Sequence, residues 1–566
     1  MEPTPRAELE RAVEVLNDNK DRWAAFDVPA RIRLLRRMML DTWEVAEEQV
    51  KAACLAKGLS FSAPVSAEEW LGGPMAVLRN LRLLAESLDQ IRLHGRPQLK
   101  PGAVRRRPDG QLAVQVFPGD LKDKLLYANF RAEVWMQPDL REEGLVETMA
   151  AAYQVPEQRR RGKVALVLGA GNVASIGPMD VLYKLFVENQ VCVLKMNPVN
   201  EYLGPFVERG FRALVEIGVL RVVYGGAEEG DFLVHHDGVD EIHITGSDRV
   251  HDIIVWGAPG EEQQRRKQRG EPRITKRITS ELGCVTPLLI VPGEWTAREL
   301  VFQAENVATM VANNASFNCN AGKVLITWQG WPQRQAFLAK VEEILRSLPG
   351  RRAYYPGSDR KYDSFLACHG DARQLGPRSA DTIPWTLIFG VDAGNTADIV
   401  FKQEAWCGIL AESPVPGADV QAYLRNAVAF CNDEVWGTLS ASLIADPRTQ
   451  RQLGGDFEQA VADLRYGSVA VNHWAALSYG LVLTTWGAFP GHSLDNIVSG
   501  SGVVHNTLMF DRPQKSVIWG PFTMAPKPPW FSTHRNAHNA ARHIAQFELT
   551  PSYLRIPAIA LAALRG

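Results

Sequence analysis

The stretch Val164-Ala165-Leu166-Val167-Leu168-Gly169-Ala170-Gly171-Asn172-Val173-Ala174 runs from a short apolar segment straight into a glycine-rich turn. Residues 179–189 then read as helix, and Val191-Cys192-Val193-Leu194 forms a second apolar run that ends in Lys195. Apolar runs this short, bounded by turn signals, suit buried strands better than helices. The rhythm repeats, with helix over 205–218, strand over 220–224, helix over 230–236 and strand over 241–244. Strands alternating with crossover helices predict a parallel sheet, so the fold class is α/β.

Upstream, residues 6–59 place Ile32, Leu35, Met38, Met39 and Trp43 at helical spacing between charges, and 67–91 does the same. Between 101 and 159 the texture changes to alternating segments, 111–117 and 130–136, split by Pro118-Gly119; these read as strands and arms. Downstream, 260–277 is dense in Arg, Lys and Glu and reads as an exposed loop or insertion. A second α/β series follows over 288–291, 298–313, 324–327 and 334–347, which puts a domain boundary near Thr279. The tail beyond Trp519, rich in Pro, His and Trp, reads as an arm or a subunit contact.

Composition bounds the function. The chain has 566 residues, 62 Lys+Arg against 64 Asp+Glu, a formal charge of -2, and is 46% hydrophobic and 22% charged. These values exclude disordered, collagen-like and low-complexity classes. With charge nearly cancelled there is no global field to hold nucleic acid or an anionic membrane, so small-molecule chemistry is expected and no nucleic-acid partner. The seven cysteines are scattered without a C-x-x-C pair, which fits a reduced environment. The polar start lacks a secretory h-region, and no apolar run approaches the roughly 18 residues of a membrane helix. A cytoplasmic protein without a stable membrane span is the expectation.

Four constellations carry candidate chemistry. Gly169-Ala170-Gly171-Asn172-Val173-Ala174 satisfies G-x-G-x-x-G/A, in which bare backbone lets a pyrophosphate approach a helix N-terminus. The ordinary form of that fold ends its next strand in Asp or Glu, which accepts the ribose hydroxyls. Here the strand ends in Lys195, which donates but does not accept, so a nucleotide must sit differently. Ile244-Thr245-Gly246-Ser247 also ends a strand ahead of a helix, where it either faces an anion or simply caps the helix. Glu281, in Glu281-Leu282-Gly283-Cys284, leaves an apolar strand region whose desolvation would raise its pKa, as a general base needs. Last, residues 313–322 surround Cys319 with small and amide side chains, which favour a thiolate and an oxyanion; a buried structural cysteine is the alternative.

Taken in this order, the four stretches resemble the aldehyde dehydrogenase superfamily, over nearly the whole chain. The superfamily's turn Asn is matched by Asn172, its ribose-binding Lys by Lys195, and its Thr-Gly-Ser turn by Thr245-Gly246-Ser247. Glu281-Leu282-Gly283-Cys284-Val285-Thr286-Pro287 matches E-L-G-G-x-x-P, while Asn314, Cys319 and Ala321 match N-x-G-Q-x-C-x-A. Glu404-Ala405-Trp406-Cys407-Gly408 is similar to E-x-F-G-P, whose Glu holds the nicotinamide ribose. Departures mark a divergent branch: Ser316-Phe317 for Gly-Gln, Cys284-Val285 for Gly-Lys, Trp406-Cys407-Gly408 for Phe-Gly-Pro, and the longer interval containing 260–277.

The resemblance implies two Rossmann-like α/β domains with parallel-sheet cores and a strand arm that extends a neighbouring subunit's sheet. On that reading residues 1–280 bind the nucleotide, with arm strands near 125–160; 281–475 are catalytic; and 476–566 are a return segment and C-terminal oligomerisation arm of a homodimer or homotetramer. It implies Cys319 as nucleophile, Asn172 and the Cys319 backbone N–H as oxyanion donors, and Glu281 as base. Lys195 and Glu404 would hold the riboses, and Gly246 and Ser247 the pyrophosphate, of NAD or NADP. NAD is placed first, although Pro198, three residues after Lys195, offers no acid to repel a 2′-phosphate. The implied reaction oxidises an aldehyde to a carboxylic acid through a cysteine thiohemiacetal and thioester. Two alternatives stay open: a CoA-acylating reductase, against which retention of Glu281 argues, and a catalytically silent scaffold, against which the joint survival of Cys319, Glu281, Asn172, Lys195 and Glu404 argues. No metal is expected, since His534, His538 and His543 lack a completing carboxylate. The aromatic stretch 474–489 hints at an apolar substrate.

Overall fold

The computed structural model describes the backbone of residues 1–566 and every side chain except that of Glu157. Near the N-terminus, α1 (Arg6–Ala24), α2 (Val28–Ala56) and α3 (Ala76–His94) are amphipathic helices, and α1 lies against the first sheet. Strands β1 (Val104–Arg106), β2 (Leu112–Phe117) and β3 (Arg131–Met136) pair antiparallel. Then come β4 (Val164–Leu168), helix α4 (Ile176–Leu182), β5 (Val191–Lys195), β6 (Leu220–Val223), β7 (Glu241–Thr245), α5 (Asp248–Trp256), α6 (Glu261–Arg269) and β8 (Arg277–Glu281). Strands β4 to β8 are parallel and ordered β8-β7-β4-β5-β6. The chain reverses direction across the sheet at β4, and a crevice outside the carboxyl ends of the strands forms there.

Between Glu281 and Thr286 the chain passes into the second sheet. It is built from β9 (Thr286–Ile290), β10 (Gly322–Trp328, reached through helix α7, Ala297–Ala312), the edge strand β11 (Arg373–Gln374), β12 (Thr386–Phe389), β13 (Ile409–Val415), β14 (Ser440–Ile444) and β15 (Ser468–Val471). A return excursion adds β16 (Gly500–Ser501) antiparallel to β8, and β17 (Pro513–Trp519) comes back to the second sheet. The complete order of this 11-stranded sheet is β1-β2-β3-β17-β15-β14-β9-β10-β13-β12-β11. Both α/β bodies expected from the sequence are therefore present. Among the described residues no helix is long and apolar enough to cross a membrane.

Two expectations need correction. The first is the extent of the arm, whose last strand, β17, runs parallel to β15 within the chain, Ser468 opposite Ser516 and Val471 opposite Trp519. Its strands also begin earlier than expected, at Val104. The physical reason is that both faces of the arm are apolar. Leu112, Val114 and Val134 enter the core of the first body while Ala113, Trp135 and Val517 enter that of the second, the period-2 split of strands covered on both sides. Lys515 fastens β17 by donating to the carbonyls of Val461, Ala462 and Leu464 at 2.8, 2.7 and 2.8 Å. Short strands carrying Arg105, Arg106 and Arg373 are left at the sheet's two edges, a composition that discourages further strand addition. The second correction concerns 260–277, which contains helix α6 rather than a loop. No residue of α6 is buried; Glu262 pairs with Arg265 and Arg266 one turn on, and Gly270 (φ 64°) ends the helix. Ion pairs at i,i+3 and i,i+4 and a left-handed C-cap give such a polar helix its stability.

Beyond β17, α8 (Ala537–Leu549) and α9 (Ile556–Ala563) pack together, and α8 lies on α2 and α3. Glu548 anchors α8, buried between Arg79 at 2.8 Å and Arg82 at 2.5 Å.

Candidate active site

At the carboxyl ends of β4, β5 and β7 a cavity of about 950 Å³ opens, lined by Gly169, Lys195, Gly246, Ser247, Glu281, Cys319 and Glu404 among others. Lys195 is the last residue of β5; its Nζ donates to the Gly225 carbonyl at 2.5 Å, and burial lowers its pKa against the opposing pull of Glu229 and Glu201. A Cβ on Gly171 would lie 2.7 Å from Asn197 and Val199, so the turn needs bare backbone there. Gly246 N–H donates to the Glu281 carbonyl at 3.1 Å, tying the Thr-Gly-Ser turn to the strand that carries Glu281. Ser247 is the N-cap of α5, accepting from Val250 N–H at 3.3 Å; the helix start thereby faces the cavity with the polarity that suits an anion.

Cys319 follows a strained turn at the end of α7. Asn314, Ala315 and Ser316 have φ of 51°, 54° and 69°, a left-handed run of non-glycine residues, each disfavoured by about 1–2 kcal/mol. Buried bonds offset that strain. Asn314 Nδ2 donates to the carbonyls of Asn172 and Phe317 at 3.0 and 3.1 Å, and Asn314 Oδ1 accepts from Lys57 Nζ at 3.0 Å and Tyr354 Oη at 2.9 Å. Ser316, standing where the superfamily has Gly, is held by Lys323 Nζ at 2.9 Å to its carbonyl and 3.1 Å to its hydroxyl. The departure thus comes with its own compensating cation. Burial pushes the Lys323 pKa down to about 8, with Glu404 pulling the other way.

Cys319 is partly accessible, whereas Cys54, Cys192, Cys284, Cys407 and Cys431 are buried. Burial, and then the adjacent Glu281 carboxyl, raise its thiol well above the ordinary range. Glu281 is 3% exposed. Burial pushes its pKa up to about 8; a hydrogen bond from the Cys319 thiol opposes that, while Asp180 and Glu404 add to it. Its Oε1 has no partner among the described residues, which leaves one acceptor unused. Asn172 spends one amide N–H on the Phe317 carbonyl at 2.9 Å, and an amide has a second to give. Glu404 is raised to about 7 by burial against the pull of Lys361 and Lys323, and its Oε1 is also unpartnered. Gly283 makes room for it, since a Cβ there would lie 2.4 Å from Glu404 Oε2. Trp406, in left-handed conformation at φ 48°, stands edge-on to Tyr355 at 5.3 Å and borders the same cavity.

Sequence reading did not single out Asp180. It is 2% exposed on α4, accepts from Thr245 Oγ1 at 2.9 Å and lies 3.5 Å from His243 Nε2. Thr245 sits opposite Glu281 across the β7–β8 pair, which brings this polar group beside that carboxyl. The signal was an acid within an otherwise apolar helix, legible only once the helix has a face. Asp180→Asn removes a like charge that raises Glu281, so the carboxyl should ionise at lower pH. The acid limb of the pH–rate profile for any step using Glu281 as base should move down; an unmoved limb would contradict this.

A second cavity, of about 570 Å³, reaches Cys319 from the opposite side and shares Asn172, Ile176 and Cys319 with the first. Among the described residues no cluster of three or more His, Cys, Asp or Glu could hold a metal ion.

No protein-family model matches the chain. Similar to it in sequence is the N-succinylglutamate 5-semialdehyde dehydrogenase of Novosphingobium aromaticivorans, 27% identical over 164 residues, which is 29% of this chain and 31% of that relative. The match thus spans about a third of the curated relative's length. Similar solved structures include glyceraldehyde-3-phosphate dehydrogenase GapN of Methanocaldococcus jannaschii complexed with NADP (TM-score 0.61, 13% identity, 92% of this chain and 95% of that one). An aldehyde dehydrogenase C mutant of Pseudomonas syringae with NAD+ and octanal gives 0.60 at 15% identity, covering 92% and 90%. The NAD-dependent aldehyde dehydrogenase of Sinorhizobium meliloti gives 0.58 at 17% identity, covering 93% and 89%. The fold is that of the aldehyde dehydrogenase superfamily, the one its motifs resemble.

Proposed function

We propose that this protein oxidises an aldehyde to a carboxylic acid with NAD or NADP, through a thiohemiacetal and then a thioester on Cys319. One observation carries the reading: two cavities meet at a partly accessible cysteine beside a buried carboxyl that has one oxygen free. The residues fit a dinucleotide. Lys195 and Glu404, the latter with an orphaned oxygen, would hold the two riboses, and Gly246 with Ser247 at the start of α5 the pyrophosphate. The relatives' names, which include NAD, NADP and several aldehydes, agree with that assignment. When bound, the nicotinamide supplies a hydride acceptor.

In this reading Glu281, ionised, takes the Cys319 proton, and the sulfur adds to the aldehyde carbon. The free N–H of Asn172 and the Cys319 backbone N–H stabilise the oxyanion. Once the oxyanion has collapsed with loss of hydride to leave the thioester, and Glu281 has released the thiol proton to solvent, Glu281 deprotonates the water that hydrolyses the thioester and frees the acid and the Cys319 sulfur. Because Glu281 is neutral below about 8, base-dependent steps should accelerate as pH rises through that value.

The test is to mix purified protein with NAD or NADP and a panel of aliphatic and aromatic aldehydes and to follow reduced-cofactor absorbance. Turnover with water alone is the expected outcome. Turnover that begins only when CoA is added would give the acylating reading instead, and silence from folded protein under every condition would leave the scaffold.

A further inference from the structure

The second cavity has a charge pattern that bears on what it admits. We propose that it selects uncharged, apolar aldehydes and rejects those bearing a carboxylate or phosphate, with the chain's own C-terminal segment forming one wall. This rests on the reading of Cys319 as the aldehyde-binding nucleophile.

The apolar walls come from distant parts of the chain: Leu71 and Met75 ahead of α3, Leu477 and Leu481 after β15, and Trp530 and Phe531 ahead of α8. Trp530 stands edge-on to Phe130 at 6.1 Å, Phe531 packs on Phe302 at 5.1 Å, and the next residue, Ser532, donates its N–H to Thr309 Oγ1 at 3.0 Å, which holds the segment in place. An aldehyde with its carbonyl at Cys319 would therefore lay its chain between the N-terminal helices and this returning segment.

Lys57, Arg351 and His534 are the basic side chains bordering the cavity, and each is already engaged. Lys57 Nζ donates to Glu69 at 2.8 Å, to the Asn172 carbonyl at 3.1 Å and to Asn314 Oδ1 at 3.0 Å, which uses all three ammonium N–H groups. Arg351 forks onto Glu68 at 3.1 and 2.9 Å. His534 meets the Ala563 carbonyl through Nε2 at 3.2 Å and accepts the Asn536 N–H through Nδ1 at 3.1 Å, the pattern of a neutral ring. With Glu68 and Glu69 set against Lys57 and Arg351, the lining offers a substrate anion no uncommitted counter-charge. Burying an unpaired carboxylate or phosphate is far costlier than burying a hydrocarbon chain.

The experiment compares kcat/KM for propanal, hexanal, octanal and 6-oxohexanoate. From propanal to octanal kcat/KM should climb about three- to fourfold per added methylene until the cavity fills, and 6-oxohexanoate should fall at least tenfold below hexanal. Equal use of hexanal and 6-oxohexanoate, or a flat series, would overturn the proposal while leaving aldehyde oxidation itself standing. Glu68→Gln uncovers the Arg351 fork and should narrow the gap between those two substrates; an unchanged gap contradicts the charge argument. Alkylation of Cys319 by iodoacetamide gives a readout that needs no turnover. Octanol should protect better than ethanol, and 6-hydroxyhexanoate worse than hexanol; the reverse order would sink the proposal even if the protein oxidises nothing.

Discussion

Cys319→Ala should lower steady-state turnover by about four orders of magnitude or more, the scale seen when a covalent nucleophile is removed, while cofactor affinity stays unchanged. Cys319 lines both cavities, and no other thiol is placed to substitute. Cys284, the neighbour whose charge it would feel, is fully buried with its Sγ directed at the Ser440 carbonyl at 3.9 Å. Alanine is also too small to disturb the turn at 314–316, whose bonds come from Asn314, Lys57 and Lys323. Reduced-cofactor absorbance gives the rate, and titration of the protein's tryptophan fluorescence gives cofactor binding. Residual turnover within about tenfold of the natural protein, a mere 1.4 kcal/mol in the barrier, would remove Cys319 from the mechanism.

Glu281→Gln should separate the two halves of the reaction. The amide cannot accept a proton, so water is no longer activated, and loss of a general base costs typically 10²–10⁴-fold. A release of about one equivalent of reduced cofactor, slower than in the natural protein because the thiol has lost its nearest base, should be followed by a stall, and the rate should no longer climb as pH passes the value of about 8 to which burial raises this carboxyl. The same carboxyl is also the nearest base to the thiol, so the burst itself should slow below pH 8 in the natural protein. CoA restoring turnover in the Glu281 variant would indicate a thiol-accepting site. Steady-state hydrolysis at the natural rate would mean that another group acts as base.

Much of this was legible from local pattern. The short apolar runs before Gly169 and Lys195, and the turn Thr245-Gly246-Ser247 before a helix, reveal strand ends and helix starts through neighbours a few residues apart. They therefore specified the nucleotide-side sheet and its crevice. Glu281 and Cys319 stood out because a carboxylate in an apolar run and a cysteine among amides are chemically odd locally. What escaped is non-local. Lys57 reaches Asn314 across 257 positions, and nothing around Lys57 distinguishes it from a surface lysine. The arm's docking on β15 depends on both faces of β2, β3 and β17 finding separate cores; alternation in sequence shows that two faces exist but not which partner covers each. The helix at 261–269 was missed because an all-polar segment carries no hydrophobic period, and its stability comes from ion pairs and a glycine cap.

Peptide mass analysis of the Glu281→Gln variant, quenched in acid after mixing with cofactor and one aldehyde, tests the central claim most directly. An acyl group of that aldehyde's mass on the peptide containing Cys319, formed only when cofactor is present, is the predicted result. An unmodified Cys319 beside oxidised aldehyde, or the acyl group on a different cysteine, would contradict it.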